Sequence, residues 1–270
     1  MQHILLFGGG GFVGAHLAPL LKKNGGADVM LIDRDIPLQS AHLDADVVVV
    51  MTQPGSAVKE VLLPALARGN APSRIVYLSS LLVYPDSPVP QSETTAPAPL
   101  TSYEKGKCEE ERLLSEIVFK RGITLSIARL GNLYGDVQNR GVINELFLSA
   151  LIGKTFVGYG GFQKIVRDYL FIDDAVGFLG RIILTPPTSQ KEIFNLCTGN
   201  GATLAEVIEA VRHITNTRIA IVARPPKGEK LSSIGDPAKF FLWSGLRPRF
   251  TLAQGLRKTY ENYRKLYTEL

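Results

Sequence analysis

The chain has 270 residues, 45% of them hydrophobic and 20% charged, with a formal net charge of +5. That is enough apolar material for one large domain, or for a domain with a smaller lobe, and it excludes a disordered chain. Its positive charges are scattered rather than clustered, which argues against nucleic acid as a partner, and two cysteines cannot build a disulfide framework.

Met1–Phe7 runs directly into glycines with no basic, apolar leader pattern, and no apolar stretch reaches the ~18 residues that span a bilayer. The expected location is therefore the cytoplasm, with no membrane partner. His3–Phe7 reads as a buried parallel strand ended by glycines. Phe12–Lys23 has apolar residues at helical spacing and stops at Asn24-Gly25-Gly26. Val29–Ile32 is expected to be a second buried strand, Val47–Met51 a third, with a helix over Val58–Ala67. Arg74–Leu78 is a fourth strand opening into Ser79-Ser80, and the Pro-rich stretch Pro85–Pro99 reads as a loop. Thr101 or Ser102 caps a helix to about Arg121, and Thr124–Ala128 is another strand. This alternation predicts an α/β protein with a doubly wound parallel sheet covered on both faces. Beyond Tyr134 the expected elements are helices over Asn144–Ile152, Leu204–Thr215 and Leu252–Leu266, and a helix begun by Asp173-Asp174 and running to about Leu184. Short strands are expected at Tyr169–Ile172 and Ile219–Val222, and a glycine-rich turn at Gly158–Gly161.

The fragment FGGGGFVG sets Gly8, Gly11 and Gly14 in a G-x-x-G-x-x-G spacing between strand and helix. Glycines let the backbone turn tightly and approach a pyrophosphate, while the helix's first turn, at Phe12 and Val13, offers free N–H groups and a positive dipole end. Asp33 ends the next strand, where its carboxylate can accept from a ribose hydroxyl. It favours NAD over NADP, although Arg34 could pair with a 2′-phosphate, so NADP stays open.

Tyr103 and Lys107 are four apart and share one face of a helix. A phenol titrates near pH 10, and a neighbouring ammonium is expected to lower that and enable proton transfer at a carbonyl or alcohol. Ser80, at a strand end where open parallel sheets place their ligands, can hold the same oxygen. Cys108 reads as a packed thiol, Cys197 as core, and the histidines, His42 included, show no metal-ligand spacing, so no metal is expected.

These segments carry a resemblance. Through GGGGFVG, VYLSSLLVYP, SYEKGK, RLGNLYG, VRDYLFIDDA and FNLCTGNGATLAEV, the chain resembles the extended short-chain dehydrogenase/reductase family of sugar-nucleotide epimerases, dehydratases and 4-ketoreductases. The resemblance implies a Rossmann domain over residues 1–160, with a strand and helix around 165–185 contributing, and a mainly substrate-binding lobe over 161–270. It implies catalytic roles for Ser80, Tyr103 and Lys107, with Tyr103 and Lys107 also at the cofactor. Asn132 and Arg167 would face a nucleotide-sugar substrate, Arg167 gripping its diphosphate, and a homodimer would form on the Tyr103 helix. A residue-level alternative pairs Arg167 with Asp168 or Asp173.

Three departures stand out. Only a dozen residues separate Asp33 from Asp46, where the family has a longer segment, which predicts a more open adenine pocket. Leu81-Leu82 occupy the place of the acidic pair of the 4,6-dehydratases, so water elimination is disfavoured. A second phosphate-binding residue falls at either Arg224 or Lys227. The expected function is an NAD(P)-dependent epimerase or 4-ketoreductase acting at a sugar ring carbon, C4. The alternatives are a non-catalytic NAD(P)-binding sensor and a reductase of non-sugar ketones.

Overall fold

The computed structural model describes residues 1–33, 40–55, 57–68, 71–225 and 228–268. In chain order, strand β1 (His3–Phe7) leads to helix α1 (Phe12–Gly25), then β2 (Asp28–Ile32) and β3 (Val47–Val50). A π-helical stretch at Ala57–Leu62 continues into α2 (Leu63–Arg68), followed by β4 (Arg74–Ser80), α3 (Ser102–Arg121) and β5 (Thr124–Leu130). The rest comprises β6 (Asn132–Tyr134), α4 (Val142–Ile152), β7 (Phe156–Tyr159), β8 (Val166–Phe171), α5 (Ile172–Leu184) and β9 (Lys191–Leu196). Last come β10 (Gly201–Thr203), α6 (Leu204–Thr215), β11 (Ile221–Arg224), β12 (Ser232–Ser233), α7 (Ala238–Ser244) and α8 (Leu252–Thr268).

Six strands form one sheet in the order β2-β1-β3-β4-β5-β9, every neighbouring pair parallel. Side chains alternate across a strand, so Ile4 and Leu6 join the core that includes Leu17 and Leu21 of α1 and Leu179 of α5. Leu5 and Phe7 join the opposite core, with Leu66 of α2 and Leu114 and Val118 of α3. The four valines of β3 are all buried, as a sheet covered on both faces requires. The sheet is therefore doubly wound, and β9 reaches it from beyond the first 160 residues.

β2 is not a buried strand but the edge of the sheet, with Met30 49% and Leu31 42% exposed. The run of apolar residues is indistinguishable locally from that of a central strand. Its edge position is set by pairing, and among the described residues no strand pairs outside it.

Beside the main sheet stand the smaller sheet β10-β8-β12, with β6 also pairing β8, and the pair β11-β7. Of the turn expected at Gly158–Gly161, Gly158 and Tyr159 belong to strand β7, and Gly160 and Gly161 form the turn. Helix α3 is held at its start by a capping box, Thr101 accepting from the Glu104 N–H while the Glu104 carboxylate accepts from the Thr101 N–H. It ends at Gly122 in the left-handed conformation. No helix among the described residues is long and apolar enough to cross a membrane.

Candidate functional site

The glycine turn follows β1, with the Gly8 N–H donating to the Ile32 carbonyl at 2.7 Å. Gly11 caps α1 without a side-chain hydrogen bond, which leaves the first-turn N–H groups at Phe12 and Val13 available to an anion. Two glycines make close approaches, Gly14 to backbone and Gly10 to a side chain that can move. A Cβ on Gly14 would stand 2.1 Å from the Gly9 carbonyl oxygen, and one on Gly10 would stand 2.2 Å from an oxygen of Asp33. The Asp33 carboxylate therefore lies against the turn, where it can receive a ribose hydroxyl. The bare glycine turn, the first-turn N–H groups of α1 and the Asp33 carboxylate beside Gly10 are donor and acceptor groups that fit a dinucleotide's pyrophosphate and ribose. Arg34 lies outside the described residues.

Gly14→Ala is expected to cost about 1–3 kcal/mol, the usual range for overpacking against an unyielding neighbour. Gly11→Ala, whose nearest atom would be an ordinary 3.7 Å away, is expected to leave stability nearly unchanged. Urea denaturation of the two variants checks the contrast.

Ser80 ends β4, its hydroxyl oxygen accepting from the Leu82 N–H at 3.2 Å. Tyr103, in the first turn of α3, is half-buried, near enough for the Ser80 hydroxyl to favour its phenolate. Lys107, 4% exposed, donates from Nζ to the carbonyls of Leu78 at 2.8 Å and Thr52 at 3.0 Å, and lies 4.8 Å from the Tyr77 ring centroid. Burial pulls the Lys107 ammonium down to about 8, opposed by the charges of Glu110 and Glu111. Burial also pushes the Tyr103 phenol above its ordinary value; the Ser80 hydroxyl counteracts this, while Glu110 and Glu104 add to it. The expected net lowering of the phenol by Lys107 is thus corrected. In this arrangement the ammonium is drawn to two carbonyls and burial dominates.

The structure brings Ser80, Tyr103 and Lys107 together at the strand ends. Asn132 is half-buried at the start of β6, in register with Tyr169 of β8. Arg167 is buried, its guanidinium donating to the carbonyls of Val166 and Lys230 at 2.9 Å each and Leu231 at 3.5 Å. Neither suggested acid partners it. Asp168 accepts from Thr198 and Gly199, and Asp173 from Lys258. Arg224 is exposed on β11, and Lys227 lies outside the described residues. Cys108 packs against Leu81, Val83, Tyr84 and Cys197, and burial pushes its thiol up to about 11.

Sequence reasoning missed the charged layer beneath the site. Glu111 receives two hydrogen bonds from Arg129, at 3.1 and 2.7 Å, and one from Ser79. Lys230 contacts Glu104 at 2.8 Å and donates to the carbonyls of Leu82 and Tyr84. Glu110 accepts from Tyr77 and from the Gly55 N–H. The available signal was helical spacing. Positions 104, 107, 110, 111, 114 and 118 share the face that Leu114 and Val118 mark as buried.

A sequence profile of the NAD dependent epimerase/dehydratase family matches residues 55–197, more than half of the chain. The chain belongs to that family. The match includes Ser80, Tyr103 and Lys107 and begins after the glycine turn. Family members similar to this chain include GDP-6-deoxy-D-talose 4-dehydrogenase of Aggregatibacter actinomycetemcomitans, 26% identical over 63% of this chain and 58% of that protein. Another is dTDP-4-dehydro-6-deoxyglucose reductase of Escherichia coli, 29% identical over 72% of this chain and 63% of that protein. The chain thus spans about three-fifths of the length of these relatives. In fold it is similar to MoeE5 in complex with UDP-glucuronic acid and NAD, with a TM-score of 0.87 at 24% identity over 98% of this chain and 100% of that one. The Thermus thermophilus UDP-glucose 4-epimerase complex with NAD gives a TM-score of 0.83 at 22% identity, covering 97% of this chain and 99% of that one.

Proposed function

We propose that this family member is an NAD-dependent epimerase or 4-ketoreductase acting at C4 of a nucleotide sugar. The observation that carries the reading is the buried Lys107 ammonium on α3, bonded to the Leu78 carbonyl of β4 two residues before Ser80 and one helical turn from Tyr103, on the strand-end side of the glycine turn. NAD when bound supplies a hydride acceptor, and its reduced form a donor. Tyr103, as phenolate, takes the proton of the sugar hydroxyl while that carbon loses hydride, and Ser80 holds the oxygen that becomes a ketone. In an epimerase the ketone turns over, Tyr103 returns the proton to its oxygen, and the hydride held by the reduced cofactor would come back to the other face of the carbon. In a reductase only the return half runs. Lys107 would hold the nicotinamide ribose when the cofactor is bound.

NAD rather than NADP is supported by the Asp33 carboxylate, which would repel a 2′-phosphate. Asn132 and Arg167 would meet the substrate. Arg167 carries five N–H donors, more than its three carbonyl contacts use, which leaves capacity for a diphosphate oxygen. A homodimer through the outer face of α3 would cover Phe119, 57% exposed. Leu81 is buried and Leu82 half-buried, so no carboxylic acid stands there to expel water, which favours epimerase or reductase chemistry over a dehydratase.

The test is incubation with NAD or its reduced form and a panel of UDP-, dTDP- and GDP-sugars, following the reduced-nicotinamide absorbance and separating the products. The expected result is a C4 epimer, or consumption of reduced cofactor by a 4-keto sugar. Accumulation of a 4-keto-6-deoxy product, the signature of water elimination, would overturn the assignment.

A further inference from the structure

We propose that Glu110 is the positioning residue of Lys107, one carboxylate both bracing the turn that receives the ammonium and supplying its counter-charge. Glu110 is fully buried and one helical turn from Lys107 on the same face of α3. Both of its oxygens accept hydrogen bonds, Oε1 from the Gly55 N–H at 3.0 Å and Oε2 from the Tyr77 hydroxyl at 2.7 Å, the pattern of a carboxylate acting as acceptor only. Gly55 belongs to the turn after β3, and that turn also presents the Thr52 carbonyl to Lys107. Helix and turn meet with no slack, since a Cβ on Gly106 would stand 2.7 Å from Cβ of Pro54. Tyr77, the other donor to Glu110, is the ring over which the ammonium lies. Glu110 is thus bonded to both surfaces that flank the Lys107 amine.

The charge argument singles out the same residue. Among the described residues, the groups acting on Lys107 are Glu110 and Glu111 of α3 and the Tyr77 ring of β4, with Arg129 of β5 paired to Glu111. Glu111 is committed to Arg129 in a 2.7 Å ion pair, so its charge is largely spent there. Among the described residues no cation lies within ion-pairing distance of Glu110. A buried amine with two carbonyl acceptors still loses its hydration, and the nearby uncompensated carboxylate is what favours the charged form.

The inference deepens the oxidoreductase reading, because Lys107 is the residue that reading gives to the nicotinamide ribose. Its test needs neither cofactor nor sugar. Protein labelled with ¹³C-lysine is titrated by the Cε chemical shift, Lys107 being assigned by the resonance lost in Lys107→Arg. Lys107 is expected to titrate at about 8 in the parent protein, about one pH unit lower in Glu110→Gln, and close to the parent in Glu110→Asp, which keeps the charge. An unmoved Lys107 titration in Glu110→Gln overturns the proposal. So does a fall in Glu110→Asp as large as the one expected for Gln, and this second variant decides the matter if the first does not fold. The brace is read by amide hydrogen exchange at Gly55, expected to be about tenfold faster in Glu110→Ala; an unchanged rate overturns that half. A protein that binds no NAD and turns over no nucleotide sugar refutes the catalytic reading while leaving these measurements interpretable.

Discussion

Replacing Tyr103 by Phe is expected to lower turnover by about 10²–10⁴-fold, the usual contribution of a positioned acid–base group, while NAD still binds. The phenol can exchange a proton with a substrate oxygen while the Ser80 hydroxyl favours its ionised form. Phenylalanine keeps the ring that packs at the head of α3 and removes only that proton. Direction matters for the pH dependence. Burial pushes the phenol up, so alcohol oxidation, which consumes phenolate, should rise with pH in the parent enzyme. Above about 8 the Lys107 ammonium is progressively lost, and the gain should flatten or reverse. Residual activity in Tyr103→Phe should show no such rise. Steady-state rates from pH 6 to 10 for both proteins, with NAD binding measured alongside, check this. A variant retaining a tenth or more of parent turnover would take the acid–base role away from Tyr103.

The parts of this site that were legible in sequence are those written in local spacing. A strand, a glycine turn and a helix succeed one another within about 25 residues, and Tyr103 and Lys107 sit four apart on one helix. Each can be read without knowing what packs against what. The edge position of β2 and the membership of β9 in the main sheet depend on pairing between distant segments, and a short apolar run looks alike in either place. Arg167 shows the same limit in another form. Its motif suggests an anion partner, but the carbonyls of Lys230 and Leu231, some sixty residues on, are what the guanidinium meets. The acids of α3 were hidden differently. Glu109-Glu110-Glu111 looks like a solvated run, yet Glu109 pairs with exposed Arg112 while the next two are buried. Helical rotation separates them, and the run itself does not.

Arg129→Met is expected to destabilise the protein by about 3–5 kcal/mol, the cost of leaving one partner of a buried ion pair alone. Arg129 and Glu111 have side-chain exposures of 3% and 8%, so water cannot replace the lost charge. Methionine preserves much of the volume and the contact with the Tyr84 ring, which lies 4.7 Å from the guanidinium, so the loss isolates the electrostatic part. The penalty belongs to the stranded Glu111 carboxylate, left with the Ser79 hydroxyl as its remaining side-chain donor. It follows that Arg129→Met combined with Glu111→Gln should be more stable than Arg129→Met alone, by about 1–2 kcal/mol. Denaturant unfolding of the parent, both single variants and the double variant gives the coupling directly. Simple additivity of the two single effects would mean that the pair acts through shape rather than charge. A positive coupling would identify the Glu111–Arg129 pair as the anchor that ties α3, with Tyr103 and Lys107 on it, to the sheet whose strand end carries Ser80.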